Sequence, residues 1–70
     1  MKNISVELRH EKFREFREAA GLSLSDVSYE LGFKTPTGYW HIERGKRSVS
    51  ATQLYLFCQT VGRNMEDFFE

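Results

Sequence analysis

Residues 31–45 read LGFKTPTGYWHIERG, and this stretch contains a helix end, a tight turn and the start of a second helix. Gly32 can adopt the left-handed backbone conformation that commonly ends a helix. Pro36 suits the first turn of a helix, where its missing N–H has no cost, and Thr35 before it is a candidate N-cap. The stretch therefore predicts two short helices joined by a turn, with the second helix covering Thr35–Arg44.

The outward face of this second helix is unusual. At about 100° per residue, Tyr39 and Ile42 share the inward face. A solvated helix usually carries Glu and Lys on its outer face, whereas this one carries a hydroxyl, an indole, an imidazole and a guanidinium, from Thr37, Trp40, His41 and Arg44. These groups predict a helix that binds a partner.

Glycines divide the rest of the chain into short helical segments. We assign Glu11 through Ala20 as the first helix, with Phe13, Phe16 and Ala20 on one face. Two more helices are predicted to begin with capping boxes, and a last turn follows Asn64; the box residues are Ser23 with Asp26 and Ser50 with Gln53. The chain is thus predicted to be all-α, a compact bundle of five short helices.

The first residues follow another pattern. Ile4, Val6 and Leu8 alternate with polar neighbours, which is typical of a strand that would need a partner from a second copy. The alternatives are a frayed terminus or an early start of the first helix. We divide the chain into an N-terminal arm, residues 1–9, and a domain, residues 10–70.

Composition excludes several classes of protein. Cys58 is the one cysteine, so no internal disulfide is possible, and we expect a buried thiol in a reducing, cytoplasmic setting. No membrane span or signal peptide is evident. His10 and His41 lack companions at metal-ligand spacing, and neither a catalytic triad nor a phosphate-cradling glycine loop is present. We therefore predict no enzyme activity, metal, cofactor or small-molecule substrate.

The charge of the chain is unevenly distributed. The formal net charge is +0, yet residues 31–65 carry five basic residues and one acidic residue. A basic segment around the unusual helix favours a polyanionic partner, although a chance cluster on a solvated face is the alternative.

Several motifs together resemble the phage Cro/repressor-type helix-turn-helix family, the XRE-like domains, over about residues 10–69. These are Phe13-x-x-Phe16-Arg17, Ala20-Gly21-Leu22-Ser23, Leu31-Gly32, Ile42-Glu43-Arg44-Gly45-Lys46-Arg47, Leu54-x-x-Phe57-Cys58-x-x-Val61-Gly62 and Met65-x-x-Phe68-Phe69. The resemblance implies a lambda-repressor-like fold in which the second and third helices form the helix-turn-helix. It also implies a structural ion pair between Arg17 and Glu43.

The chain departs from the family pattern at three points. Leu24 stands where the family usually has a glutamine that meets a phosphate, and Ser28 stands where it usually has alanine. The turn after Gly32 is one residue longer than the commonest form. Leu24 removes one expected DNA contact, and the longer turn obscures which side chain reaches which base.

A reading helix places its N-terminal half in the major groove of DNA. Thr37 and His41 are the first predicted base contacts. Trp40 either contacts thymine methyls or sugars, or binds a protein, or folds back onto the core. Gly38 indicates a close approach, either to DNA or to the second helix. The predicted phosphate contacts are Lys34, Thr35, Arg44, Lys46, Arg47 and Ser25.

The sequence thus predicts a sequence-specific DNA-binding transcriptional regulator, a repressor that occupies its operator. It would bind double-stranded DNA as a homodimer in a prokaryotic cytoplasm, encoded by a phage or associated with the nucleoid. Phe68, Phe69 and residues 4–8 are candidate dimer surfaces, with the core as the alternative for Phe68. The alternative function is a protein-interaction module on the same scaffold, antitoxin-like or antirepressor-like, which Leu24 and the neutral charge favour.

Overall fold

Four α-helices and a final 3₁₀ turn make up the part of the chain that the computed structural model describes, residues 9–69. The prediction of an all-α bundle of five short helices is confirmed, with the 3₁₀ turn as the fifth. The predicted N-terminal strand lies outside the described residues. The elements are α1 (Glu11–Ala19), α2 (Leu24–Glu30), α3 (Pro36–Glu43), α4 (Ala51–Val61) and the 3₁₀ turn (Met65–Phe68).

Both predicted capping boxes form. The Ser23 hydroxyl accepts from the Asp26 N–H at 3.0 Å, and the Asp26 carboxylate accepts from the Ser23 N–H at 2.9 Å. This second bond lowers the pKa of Asp26 below its ordinary value. Ser50 and Gln53 exchange the equivalent bonds at the start of α4, each 3.1 Å long.

The start of α3 differs from the capped starts of α2 and α4. Thr35 occupies the N-cap position and Pro36 the first turn, as predicted, but the Thr35 hydroxyl makes no capping hydrogen bond. The capping role predicted for this hydroxyl is therefore wrong. The residue three positions on is Gly38, which has no side chain to return a bond to the N-cap.

The core is built around buried aromatic rings from α1, α3, α4 and the 3₁₀ turn, to which α2 adds Val27. The ring of Phe13 lies 4.8 Å from that of Phe57 and 4.6 Å from that of Phe68, measured between centroids. Phe68 is fully buried, so the core alternative holds for it and it is not available to a dimer surface.

Ala20 is exposed because α1 ends at Ala19, which corrects its predicted inward position. Cys58 is buried, and burial raises the pKa of its thiol.

Gly45 directs the chain away from the end of α3. Its φ is +72°, in the left-handed region, and a Cβ built on it would lie 2.8 Å from the His10 ring. Gly62 has the similar φ of +75° but nothing within 4 Å of the same position. The contact with Gly45 places His10, just before α1, against the loop that follows α3.

We expect Gly45→Ala to lower the free energy of unfolding by about 2 kcal/mol and Gly62→Ala by about 1 kcal/mol. Both substitutions add left-handed strain, but only the first also overlaps a neighbouring side chain. Urea denaturation measures the free energy of unfolding of both variants. In the Gly45→Ala background, His10→Ala should remove the extra loss that Gly45→Ala shows relative to Gly62→Ala. Equal losses in the two single variants would show that the His10 ring simply moves aside.

Candidate nucleic-acid interface

The connection between α2 and α3 has the geometry of a helix-turn-helix. α2 is followed by Leu31 as its C-cap and by Gly32 with a φ of +86°. The Phe33 N–H donates to the Ser28 carbonyl at 2.9 Å, which fixes the direction in which the chain leaves the helix. The Ser28 side chain is buried, and its small size lets α2 pack closely against its neighbours.

Arg17 of α1 holds the C-terminal end of α3. Its Nε lies 2.5 Å from Oε2 of Glu43, and its Nη1 donates to the Leu22 carbonyl at 2.9 Å. The side chains of Arg17 and Glu43 are only 11% and 6% exposed. The hydrogen bond to Glu43 raises the pKa of Arg17 above its ordinary value. One guanidinium therefore connects α1, the start of the helix-turn-helix and the end of α3.

Burial divides α3 into the two faces that the sequence predicts. Tyr39 and Ile42 are buried in the core. Desolvation raises the pKa of the Tyr39 hydroxyl, and a hydrogen bond to Glu43 adds to this. Thr37 and Arg44 are exposed. Glu43 is the one acidic residue in α3, and because Arg17 binds it, the outward face carries no uncompensated negative charge.

His41 is half-buried, and its Nδ1 is buried without a hydrogen-bond partner in the described structure. Because Nδ1 is enclosed, the imidazole can meet a partner only through its opposite edge, which carries Nε2. Its ring also lies 5.2 Å from the ring of Trp40.

Trp40 remains outside the core, with 38% of its surface exposed. The guanidinium carbon of Arg44 lies 4.7 Å from the centre of the Trp40 ring. Leu24, the residue that replaces the family's glutamine, lines the same shallow depression as Trp40 and Arg44. The alternative in which Trp40 folds back to cover the core is therefore wrong.

Gly38 was predicted to approach either DNA or α2, and within the molecule its nearest neighbours do not belong to α2. The atoms nearest to its missing Cβ belong to Phe33, at 2.6 and 2.9 Å, and to the Arg47 guanidinium, at 3.2 Å. The nearest atoms thus belong to a turn residue and a loop residue, so the alternative of close packing against α2 is wrong, and an approach to DNA stays a prediction. The Arg47 guanidinium carbon also lies 4.9 Å from the centre of the Phe33 ring. Sequence reasoning missed Phe33, although a large aromatic beside a turn glycine was a usable signal.

The predicted phosphate contacts are all exposed and fall into three groups around α3. Arg44 lies beside Trp40. The second group lines one depression and contains Ser25 from the first turn of α2 with Lys34 and Thr35 from the α2–α3 connection. The third lies after α3 and contains Lys46 and Arg47, which share a depression with His10. His10 had no assigned role in the sequence, because only the folded chain brings it to this loop.

Two other features are absent from the part of the chain that the structure describes. Among residues 9–69, no group of three His, Cys, Asp or Glu side chains could hold a metal ion. No helix within this range is long and apolar enough to cross a membrane.

Comparison with known proteins identifies the class to which this geometry belongs. The sequence profile of the helix-turn-helix domain family matches residues 11–67. The chain therefore belongs to the helix-turn-helix domain family, which confirms the resemblance found in its motifs, and this family defines a class of DNA-binding transcription regulators.

One solved structure has a similar fold. The chain is similar to the crystal structure of the clp gene regulator ClgR from C. glutamicum, with a TM-score of 0.77 and 24% sequence identity. The similarity covers 96% of this chain and 86% of that chain. No curated protein matches the sequence.

Proposed function

We propose that this protein is a sequence-specific repressor that places α3 in the major groove of an operator. The observation that carries the proposal is the outward face of α3, which presents hydrogen-bonding groups and a cation while the buried Arg17–Glu43 pair holds the helix from behind. Thr37 and His41 are the proposed base contacts. Trp40 is a further proposed contact, through thymine methyls or the sugar backbone.

The cationic groups around α3 would bind the DNA backbone. Lys34, Arg44, Lys46 and Arg47 would each neutralise a phosphate, which fixes register without reading sequence. Ser25 and Thr35 would add hydrogen bonds from hydroxyls or neighbouring backbone N–H groups. Four neutralised phosphates give a slope of about −3.6 per subunit for log affinity against log salt. So few contacts per subunit favour two copies on adjacent half-sites.

A homodimer is accordingly part of the proposal, with residues 10–70 as the DNA-binding domain and residues 1–9 as an arm. The exposed Phe69 is the candidate dimer contact within the described residues. The Arg9 N–H donates to the Phe68 carbonyl at 3.1 Å, so the last residue of the arm lies beside the residue that precedes Phe69. We place the protein in a prokaryotic cytoplasm, phage-encoded or nucleoid-associated, where an operator is accessible.

Selection of binding sites from a random DNA pool, followed by titration of the selected duplex at several salt concentrations, tests the proposal. We expect a defined consensus and an affinity that falls steeply with salt. Absence of binding at low salt would instead support the protein-interaction module. Leu24 at a position that usually meets phosphate favours this second function, as does the partly exposed Trp40 next to it.

Replacing a base-reading residue should change sequence preference more than affinity for random DNA. We expect Thr37→Ala and His41→Ala each to reduce discrimination between the selected site and a scrambled one by about 1–3 kcal/mol. Fluorescence anisotropy on both duplexes at one salt concentration measures this. Tyr55→Ala, at an exposed position on α4, is the matched control and should change neither value. Uniform weakening on both duplexes would contradict the assigned role.

A further inference from the structure

Two arginines near α3 are each stacked on an aromatic ring. Arg44 lies over Trp40, with both residues belonging to the end of α3 or its cap. Arg47, from the loop after α3, lies over Phe33, from the turn before α3. A stacked guanidinium keeps its donors free at its edge while it loses much of its rotational freedom, so it can bind a phosphate with a smaller entropic penalty.

The two stacks lie on opposite flanks of the recognition helix. Phe33 and Arg47 meet the helix at Gly38. At about 100° per residue, Trp40 lies about 160° from Gly38 when the angle is measured across the outward face. Thr37 and His41 lie between these two positions on that face, and Arg44 lies on the same arc between Trp40 and Thr37. The proposed base-reading groups therefore have on each side a guanidinium that lies over an aromatic ring.

The requirement for glycine at position 38 follows from the same arrangement. Any Cβ would lie within 3.0 Å of the Phe33 ring and 3.2 Å from the Arg47 guanidinium, so a larger residue would displace the stack. Glu43, the acid nearest in sequence to Arg44, is bound by Arg17 and does not compete for it.

An α-helix is about 10–12 Å across with its side chains, which matches the width of the major groove of about 12 Å. A helix lying in the groove therefore turns its two flanks toward the two DNA strands. Resting on the proposed function, we propose that the Arg44–Trp40 stack binds a phosphate of one strand and the Arg47–Phe33 stack binds a phosphate of the opposite strand. Both aromatic rings then act as positioning residues for phosphate recognition.

Single neutral methylphosphonate substitutions in the selected operator test which strand each arginine meets. The wild-type protein should lose affinity about five- to tenfold at sensitive phosphates on both strands. Within one half-site, Arg44→Ala should become insensitive at a phosphate of one strand only, and Arg47→Ala at a phosphate of the other strand only. If both variants lose sensitivity on the same strand of that half-site, or if neither variant loses sensitivity there, the inference is overturned.

The stacking itself is tested by variants that keep every positive charge. Phe33→Leu and Arg47→Lys should each weaken operator binding about two- to fivefold, with an unchanged salt slope. In the Arg47→Ala background, Phe33→Leu should have no further effect on affinity. Thermal unfolding of each variant confirms that binding is measured on folded protein. Full additivity of Phe33→Leu and Arg47→Ala would show that the ring does not act through the guanidinium.

These outcomes distinguish failure of the inference from failure of the proposed DNA-binding function. A wild-type protein that binds no DNA overturns both. A protein that selects an operator, but whose two arginines meet the same strand, keeps the proposed function and loses the inference.

Discussion

Arg17→Met is expected to lower the free energy of unfolding by about 3 kcal/mol, because it leaves the Glu43 carboxylate enclosed without a partner. Glu43 is 6% exposed, so water cannot replace the guanidinium without rearrangement of the packing. The Leu22 carbonyl loses its hydrogen-bond donor in the same substitution. In a domain of this size the loss corresponds to a fall in Tm of about 12–24 °C.

The chain provides a matched control for this prediction. Arg14 and Glu18 form an ion pair with an N–O distance of 3.0 Å, but their side chains are 70% and 54% exposed. Arg14→Met should therefore change the free energy of unfolding by at most about 0.5 kcal/mol. The double variant Arg17→Met/Glu43→Leu removes both buried charges and should recover more than half of the loss. If Arg17→Met costs no more than Arg14→Met, the buried pair does not support the fold.

The features predicted correctly from local sequence are those in which a few neighbouring residues decide the outcome. Ser23 with Asp26 and Ser50 with Gln53 exchange bonds across three residues, so their helix starts follow from the spacing alone. Thr35 shows the limit of that reasoning. A hydroxyl residue at an N-cap position does not by itself guarantee a side-chain capping bond.

Contacts between residues far apart in the sequence were harder to predict from the sequence alone. The ion pair between Arg17 and Glu43 spans 26 residues, and only the family resemblance indicated it. The stacking of Arg47 on Phe33 and the contact between His10 and Gly45 had no such precedent in the motifs. They depend on where the turn and the loop come together after α3 has packed, which helical periodicity does not encode.

The double variant Lys46→Ala/Arg47→Ala is expected to weaken binding to every DNA sequence by on the order of 50- to 100-fold at about 0.1 M salt. Both side chains are exposed on the loop after α3, beside the N-terminal end of α1. If each neutralises one phosphate, the slope of log affinity against log salt should flatten by about two units. Phosphate contacts carry no sequence information, so the ratio of affinities for operator and scrambled DNA should not change.

A double variant with the same change in charge separates this effect from net charge. Lys12 and Arg63 both lie over the Phe16 ring, outside the three groups of predicted phosphate contacts. Lys12→Ala/Arg63→Ala should leave the salt slope near its wild-type value, because neither side chain displaces counterions from bound DNA. An unchanged slope in Lys46→Ala/Arg47→Ala would remove these residues from the phosphate contacts. A flattened slope with an altered operator ratio would instead show that the loop contributes to sequence recognition, either through base contacts or through sequence-dependent DNA shape.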